Sequence, residues 1–269
     1  MRRQRQSQRT MLSALDILLL CNSSAVLCDS PEIHNFTGVY DANETTITSY
    51  RRENSIFEGA EKRTWLCEGN DDMTDDLRVQ LLDDHNRYRS LTARGLAEDP
   101  EGDNGYAPKA AKMKKLVYDC NLEVSAQDHA NLCKFQHSNV PYGENLFYAP
   151  MFFDKYQAVD TASRMWFDEL KKFGVGPENM LKNWSVGHYT QMVWGWTEKL
   201  GCGVKECLDG SVLLVCQYDP AGNYQQYPIY KVGEPCSDCT CKQCECDPDE
   251  GLCYVPELPT SEPGSDFAS

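Results

Sequence analysis

A histidine, His188, lies in the stretch "GHYTQMVW" (residues 187–194) among residues that otherwise look like protein core. An imidazole in such a place can act as a general base, bind a metal ion or pack in the interior. Nucleophilic catalysis has little support, because the chain has no His-Glu-x-x-His or Gly-x-Ser-x-Gly motif. Ser185 lies three residues before His188, but nothing in the sequence orients it as a nucleophile. The role of His188 therefore depends on which other side chains the fold brings to it.

Cysteine is the second residue type that could carry chemistry, and the chain has 14. Near the C-terminus, six cysteines are separated by almost no apolar residues: Cys236, Cys239, Cys241, Cys244, Cys246 and Cys253. Their Cys-x-x-Cys spacings would allow a zinc site, but a secreted chain favours disulfides. We predict a disulfide-stabilised module over residues 231–254, with its cysteines paired among themselves, and a disordered tail over residues 255–269.

The N-terminal region indicates secretion. Four arginines precede an apolar run, and Val26-Leu27-Cys28 fits a small-residue cleavage site. We interpret residues 1–28 as a signal peptide rather than a membrane anchor, because the run is short and interrupted by Asp16. Removing this segment leaves an even number of cysteines, which suits full pairing.

Three glycosylation sequons follow along the chain. Two of them, at Asn35 and Asn43, lie in the polar stretch of residues 29–66, which we interpret as a flexible, glycosylated extension. The third begins at Asn183, close to His188. A glycan there would crowd the entrance to any site built around that histidine.

The charge of the chain limits its partners. The net charge is −15, and loss of the arginine-rich leader makes it more negative. Nucleic acids and anionic membranes would repel such a protein. Beyond the leader, no apolar run approaches the roughly 20 residues that cross a bilayer. We expect a secreted protein with apolar, cationic or small-molecule partners, without a nucleic acid partner and without a membrane span.

The candidate residues must be positioned by helices and by a β-hairpin that follows them in the chain. A first helix ends at Gly95 and carries His85 on its apolar side, which favours a buried, hydrogen-bonded histidine over a ligand. Apolar spacing predicts two more helices, over residues 122–135 and 159–173. An Asp-Gly pair at residues 209–210 then joins two β-rich runs into a predicted hairpin. This order indicates an α+β domain in which helices pack on an antiparallel sheet.

These elements also constrain the cysteine pairing. Centring the hairpin on residues 209–210 brings Cys202 and Cys216 to near-opposite positions on adjacent strands. If residues 122–133 form one helix, it rises by about 16 Å. That length exceeds the roughly 7 Å limit between bonded Cα atoms. We therefore predict that Cys120 and Cys133 do not pair with each other.

Four stretches in order resemble the signature motifs of the CAP superfamily, which comprises cysteine-rich secretory proteins, insect venom antigen 5 and plant pathogenesis-related proteins. They are "HNRYR" (residues 85–89), "GENL" (143–146), "GHYTQMVW" and "LLVCQYDPAGNY" (213–224). The stretches "APKAAKM", "YDC" and "GEPC…GLC" are similar to the venom-allergen-like, activation-associated secreted proteins of parasitic nematodes. The resemblance covers about residues 67–254. It implies an α-β-α sandwich, the SCP domain, over residues 67–230, and it also suggests the Cys202–Cys216 disulfide.

The resemblance further implies a central cleft that holds two histidines and two glutamates, here His137, Glu144, Glu169 and His188. Neutral imidazoles suit zinc, and a carboxylate can fix the tautomer of a ligating ring. Because only His137 and His188 would be strong ligands, we expect an open, reversible zinc site; the alternative is a polar network without metal. Metal-activated water is the only hydrolytic mechanism that this set allows.

Some relatives bind sterols through a loop with an aromatic-x4-aromatic-x2-aromatic pattern. Tyr148, Phe153 and Tyr156 match it here, just after "GENL". The alternative is that these aromatics cover the core. We predict a secreted, non-enzymatic protein that binds sterol or fatty acid and modulates host responses. A metal-dependent hydrolase and a ligand for host cell-surface or immune proteins are the alternatives.

Overall fold

The computed structural model describes residues 66–240 and 243–256. The predicted signal peptide, the sequons at Asn35 and Asn43 and most of the predicted tail lie outside these residues. The helices and strands are α1 (Asp75–Ala93), β1 (Ala110–Lys112), β2 (Val117–Tyr118), α2 (Cys120–Ala130), β3 (Gly143–Ala149), α3 (Lys155–Phe173), α4 (Gly187–Met192), β4 (Lys199–Glu206), β5 (Val212–Asp219), β6 (Lys231–Val232), β7 (Glu245–Asp247) and β8 (Leu252–Tyr254). Short 3-10 turns occur at Asp103–Gly105 and Trp184–Val186.

A four-stranded sheet with the order β2-β4-β5-β3 forms the middle layer. Strands β4 and β5 form the predicted hairpin, and β3 pairs antiparallel with β5. Alternate residues of β5 belong to two different apolar clusters, because successive side chains of a strand point to opposite faces. The larger cluster takes Val212, Leu214, Cys216 and Tyr218, and the smaller one, which includes Ala126 and Ala130 of α2, takes Leu213 and Val215. Helices therefore cover both faces of the sheet, and the α-β-α sandwich is confirmed.

Three helix boundaries differ from the sequence prediction, and one of them is the start of α2 at Cys120 rather than at residue 122. Helix α2 ends at Ala130 rather than at residue 135, and Cys133 then adopts a positive φ of 50°. A disulfide from Cys133 to Cys207 ties this segment to the β4–β5 hairpin, a contact that apolar periodicity does not report. Helix α3 begins at Lys155 rather than 159, because Asp154 and Gln157 form a reciprocal capping box.

Five disulfides join described cysteines: Cys67–Cys120, Cys133–Cys207, Cys202–Cys216, Cys236–Cys246 and Cys239–Cys253. Cys120 and Cys133 thus pair with other partners, although the helix between them is shorter than predicted. Cys202 and Cys216 are register partners on β4 and β5, with Cα atoms 4.1 Å apart. In the C-terminal module, Cys236 and Cys239 are held in disulfides rather than as thiolates for zinc.

Helix α1 carries two arginines into the interior. Arg78 makes a two-pronged ion pair with Glu123 of α2, with both N–O distances 2.7 Å and both side chains 1% exposed. Arg89 is fully buried, and its guanidinium donates to four main-chain carbonyl oxygens. Within the part of the chain that the structure describes, no helix is long and apolar enough to cross a membrane.

Candidate functional site

A cleft of about 510 Å³ opens beside the start of β3 and helix α4. It is lined by His137, Tyr142, Gly143, Glu144, Asn145, Trp184, Gly187, His188, Gln191, Ala221, Gly222 and Asn223. Three of the four expected cleft residues are therefore in its wall. The fourth, Glu169, does not line the cleft but bonds to His188.

Glu144 holds His137 at one side of the cleft. Its side chain is 5% exposed, and its Oε1 accepts from His137 Nδ1 at 3.0 Å and from the Ser138 main-chain N–H at 2.9 Å. Its Oε2 accepts from Ser138 Oγ at 2.5 Å and from Gln217 Nε2 at 3.1 Å. Burial opposes the charge, but the hydrogen bonds from His137, Ser138 and Gln217 outweigh it and lower the pKa of Glu144 to about 2.

Glu169 holds His188 at the other side. Its Oε1 lies 2.6 Å from His188 Nδ1, and its Oε2 accepts from the main-chain N–H groups of His188 and Tyr189. Glu169 thereby satisfies free N–H groups in the first turn of α4. One turn earlier on α3, the Trp166 ring stacks on the His188 ring, with centroids 6.0 Å apart and planes 12° apart. Trp166 itself is anchored by donating its indole N–H to the Leu146 carbonyl.

Gly187, which directly precedes His188, belongs to the helical backbone rather than to a sharp turn. Gly187 has helical angles, with φ −63° and ψ −37°. A Cβ atom there would lie 3.3 Å from the Trp184 ring, which gives a packing reason for glycine. His188 is oriented instead by the helix start, by Glu169 and by Trp166.

The two histidines share one arrangement, in which Nδ1 faces a carboxylate. An ionised carboxylate only accepts hydrogen bonds, so the neighbouring Nδ1 carries a proton and the neutral ring has its lone pair on Nε2. Neither Nε2 atom has a hydrogen-bond partner among the described residues. Both imidazoles thus offer Nε2 for a metal ion, with a carboxylate bonded behind each ring. Within residues 66–240 and 243–256, no group of three or more His, Cys, Asp or Glu side chains is placed to hold one ion.

His85 is a structural residue, as the sequence predicted. It is fully buried, its Nδ1 lies 2.7 Å from the Leu81 carbonyl oxygen and its Nε2 lies 2.8 Å from Tyr218 Oη. Asn145 donates both to Tyr218 Oη and to the His188 carbonyl oxygen, each at 3.1 Å. This chain of hydrogen bonds connects α1 to the wall of the cleft. Burial lowers the pKa of His85 to about 4.

The three aromatics of the sterol pattern lie on three different elements. Tyr148 is half-buried in β3, with its ring 5.9 Å from that of Phe135. Phe153 lies in the β3–α3 connection and packs partly against the main core. Tyr156 lies in the first turn of α3 and is 46% exposed.

Sequence reasoning missed several residues that shape the cleft. Gln217 bonds Glu144 because the two are register partners on β5 and β3, which required the strand register to be known. Gln191 accepts from the Gly222 N–H at 3.0 Å, and a Cβ atom on Gly143 would lie 2.2 Å from Gln191 Oε1. The glycine of "GEN" therefore leaves room for this amide. Of the missed residues, only Ser138 could have been found from the sequence, because it directly follows His137.

A comparison with known families matches the part of the chain that holds His137, Glu144, Glu169 and His188. The family model described as the cysteine-rich secretory protein family, CAP, matches residues 82–218. This chain belongs to the CAP family. "Ancylostoma secreted protein" of Ancylostoma caninum is 48% identical over 202 residues, which cover 71% of this chain and 47% of that protein. The chain thus spans about half the length of this relative.

Further relatives place this CAP protein among the venom-allergen-like members. "Venom allergen 5" of Dolichovespula arenaria is 37% identical over 169 residues, which cover 59% of this chain and 82% of that protein. A crystal structure of NaASP2 with Zn²⁺ is 44% identical, has a TM-score of 0.63 and aligns with 69% of this chain and 98% of its own. Disulfides are typical of extracellular proteins. The two relatives named above are described as a secreted protein and a venom allergen, which agrees with that location.

Proposed function

We propose that this CAP protein is a secreted, non-enzymatic binding protein whose central cleft reversibly takes up zinc. The observation that carries the proposal is the matched pair of histidines, each with Nδ1 on a glutamate and Nε2 left for a ligand. Zinc held by His137 and His188 would complete its coordination with water, because the carboxylates are engaged behind the rings. Such a site is weaker and more open than a structural zinc site with four protein ligands.

The same contacts favour binding over hydrolysis. Zinc can lower the pKa of a bound water, but hydrolysis then also needs a group that takes up and returns protons. Glu144 accepts four hydrogen bonds and Glu169 accepts three. These carboxylates orient side chains and cap a helix, so neither is placed as a free general base.

Replacing either histidine should weaken zinc binding at least tenfold. His137→Ala and His188→Ala each remove one of the two ligand nitrogens, and titration calorimetry at about pH 7.5 measures the loss. The affinity of the unaltered protein should also fall at about pH 5.5, because protons compete for imidazole lone pairs.

An acidic protein can bind zinc loosely at its surface, so the control is Glu178→Gln, which removes an exposed carboxylate. It should bind zinc like the unaltered chain. Undiminished binding in either histidine variant would remove that residue from the site, and the far-ultraviolet circular dichroism must stay the same in all variants.

We further propose that Tyr148, Phe153 and Tyr156 bind a sterol or other lipid, which would let the protein modulate host responses by carrying lipid. The supporting observation is that none of the three rings is fully enclosed: Tyr148 and Phe153 are half-buried, and Tyr156 is exposed. Each ring that covers a planar sterol would bury on the order of 100 Å² of apolar surface, or about 2–3 kcal/mol. The entropy lost when the binding residues become ordered reduces this favourable free energy, so we expect micromolar affinity.

Removing two of these rings should weaken cholesterol binding about tenfold or more. The variant is Phe153→Ala with Tyr156→Ala, and the measurement is saturation binding of radiolabelled cholesterol in detergent solution. A matched control is Tyr106→Ala with Phe173→Ala, because these rings are 46% and 49% exposed. Normal binding by the first variant would contradict the proposal. If that variant unfolds while the control stays folded, the result would favour the alternative that these aromatics cover the core.

A further inference from the structure

Four apolar side chains protrude from one end of the central sheet. Phe135, Met151, Phe152 and Leu208 are 55%, 52%, 95% and 110% exposed, and we call them the apolar tip. They belong to three separate connections, α2–β3, β3–α3 and the β4–β5 hairpin. None of them belongs to the aromatic pattern that the sequence singled out.

Three contacts hold these connections at the same end of the molecule. The Cys133–Cys207 disulfide joins the segment after α2 to the residue before Leu208. Met151 Cγ lies 3.2 Å from the position that a Cβ atom would take on Gly210, so Met151 rests on the hairpin turn. The Phe135 ring lies against Tyr148, near the end of β3. The apolar tip is therefore one surface.

Phe152 adds an independent observation. Its φ of 92° is uncommon for a bulky residue and costs conformational energy. With 95% of its surface exposed, its ring gains almost no packing within this chain that would offset that cost. A strained backbone that presents an exposed aromatic ring at a loop end is typical of a residue that contacts a partner.

We propose that the apolar tip inserts into the surface of a neutral, zwitterionic lipid bilayer. Side chains that protrude from separate loops form no pocket for a rigid partner, whereas the fluid headgroup region accepts them without a complementary shape. The net charge of −15 disfavours anionic lipids and leaves zwitterionic headgroups as the suitable surface. Charged neighbours on the same connections, such as Lys134, Asp154 and Asp209, would remain among the headgroups.

This inference deepens the proposed lipid function, because sterols dissolve in bilayers and Phe153 directly follows Phe152. It also makes a separate claim, since insertion needs no sterol. A protein partner for the apolar tip is the competing explanation, and it predicts no affinity for pure lipid.

The test is co-sedimentation of the full chain with phosphatidylcholine vesicles that contain no sterol. The variant Phe152→Ser with Leu208→Ser should lower the partition coefficient at least tenfold. The control is Leu96→Ser with Phe173→Ser, which removes exposed apolar residues of similar kind elsewhere. Phe173 ends the 19-residue helix α3, about 28 Å from its start near the apolar tip. The control should bind vesicles like the unaltered chain, and adding phosphatidylserine should not strengthen binding.

A second readout locates the insertion. In a Phe152→Trp variant, vesicles should shift the added fluorescence to shorter wavelength relative to the unaltered chain, and brominated lipids should quench that added signal. No vesicle binding by the unaltered chain, or equal binding by the double variant, would overturn the proposal. Cholesterol binding in detergent solution separates the two claims: the Phe152→Ser, Leu208→Ser variant should retain it, and its loss would show that the apolar tip is part of the sterol site instead.

Discussion

Replacing Arg89 with methionine should lower the free energy of unfolding by about 4 kcal/mol or more. The guanidinium is fully buried. It donates to the carbonyl oxygens of Lys114 at 2.7 Å, Met192 and Trp194 at 2.9 Å each, and Thr197 at 3.2 Å. Methionine fills similar space but donates no hydrogen bond, and each buried carbonyl left without a donor costs about 1–3 kcal/mol.

The effect would be large relative to the whole stability of a domain, which is typically about 5–15 kcal/mol. Urea unfolding monitored by fluorescence provides the measurement. Arg164→Met is the control, because Arg164 is exposed on α3 and its replacement should change stability by no more than about 0.5 kcal/mol. A loss below about 1 kcal/mol for Arg89→Met would show that water replaces the guanidinium as donor, contrary to our expectation.

Lowering the pH from about 7 to about 4 should reduce the free energy of unfolding by about 3 kcal/mol through protonation of His85. Burial lowers the pKa of this histidine from 6.5 to about 4. The folded pKa is depressed, so below pH 6.5 the unfolded chain binds a proton that the folded chain does not. The contribution of His85 to the free energy of unfolding is therefore fully present above about pH 6.5. It is lost as the pH falls toward 4, and it changes little further below that value.

The difference between the unaltered chain and His85→Gln isolates this contribution. Glutamine does not titrate, so the variant should start less stable at neutral pH but lose about 3 kcal/mol less upon acidification. Glu144, whose pKa is lowered to about 2, contributes acid sensitivity in both proteins, and this part cancels in the comparison. Parallel stability curves for the two proteins would mean that His85 takes up its proton without penalty.

Interactions between near neighbours in the chain were predictable from residue types. Thr74 caps α1, and the Asp-Gly turn leads to the hairpin that sets Cys202 opposite Cys216. His85 could be assigned to the core because its spacing placed it on the apolar side of a helix. The expected cleft residues came from the motifs of a resembling family, and the structure places His137, Glu144 and His188 around one cleft.

Contacts between distant segments decided the rest. The capping box that begins α3 is local and was detectable, whereas the end of α2 depends on a disulfide to a hairpin 74 residues away. The sequence by itself predicted three helices followed by a β-hairpin, the buried role of His85 and, through the family motifs, three of the residues that line the cleft. Only the tertiary structure decided that Gln217 supports Glu144, that each imidazole turns Nδ1 to a carboxylate, and that Phe152 and Leu208 protrude together. The physical reason is that a local pattern reports which side chains prefer burial or a turn, while register, disulfides and packing between remote segments decide which atoms meet.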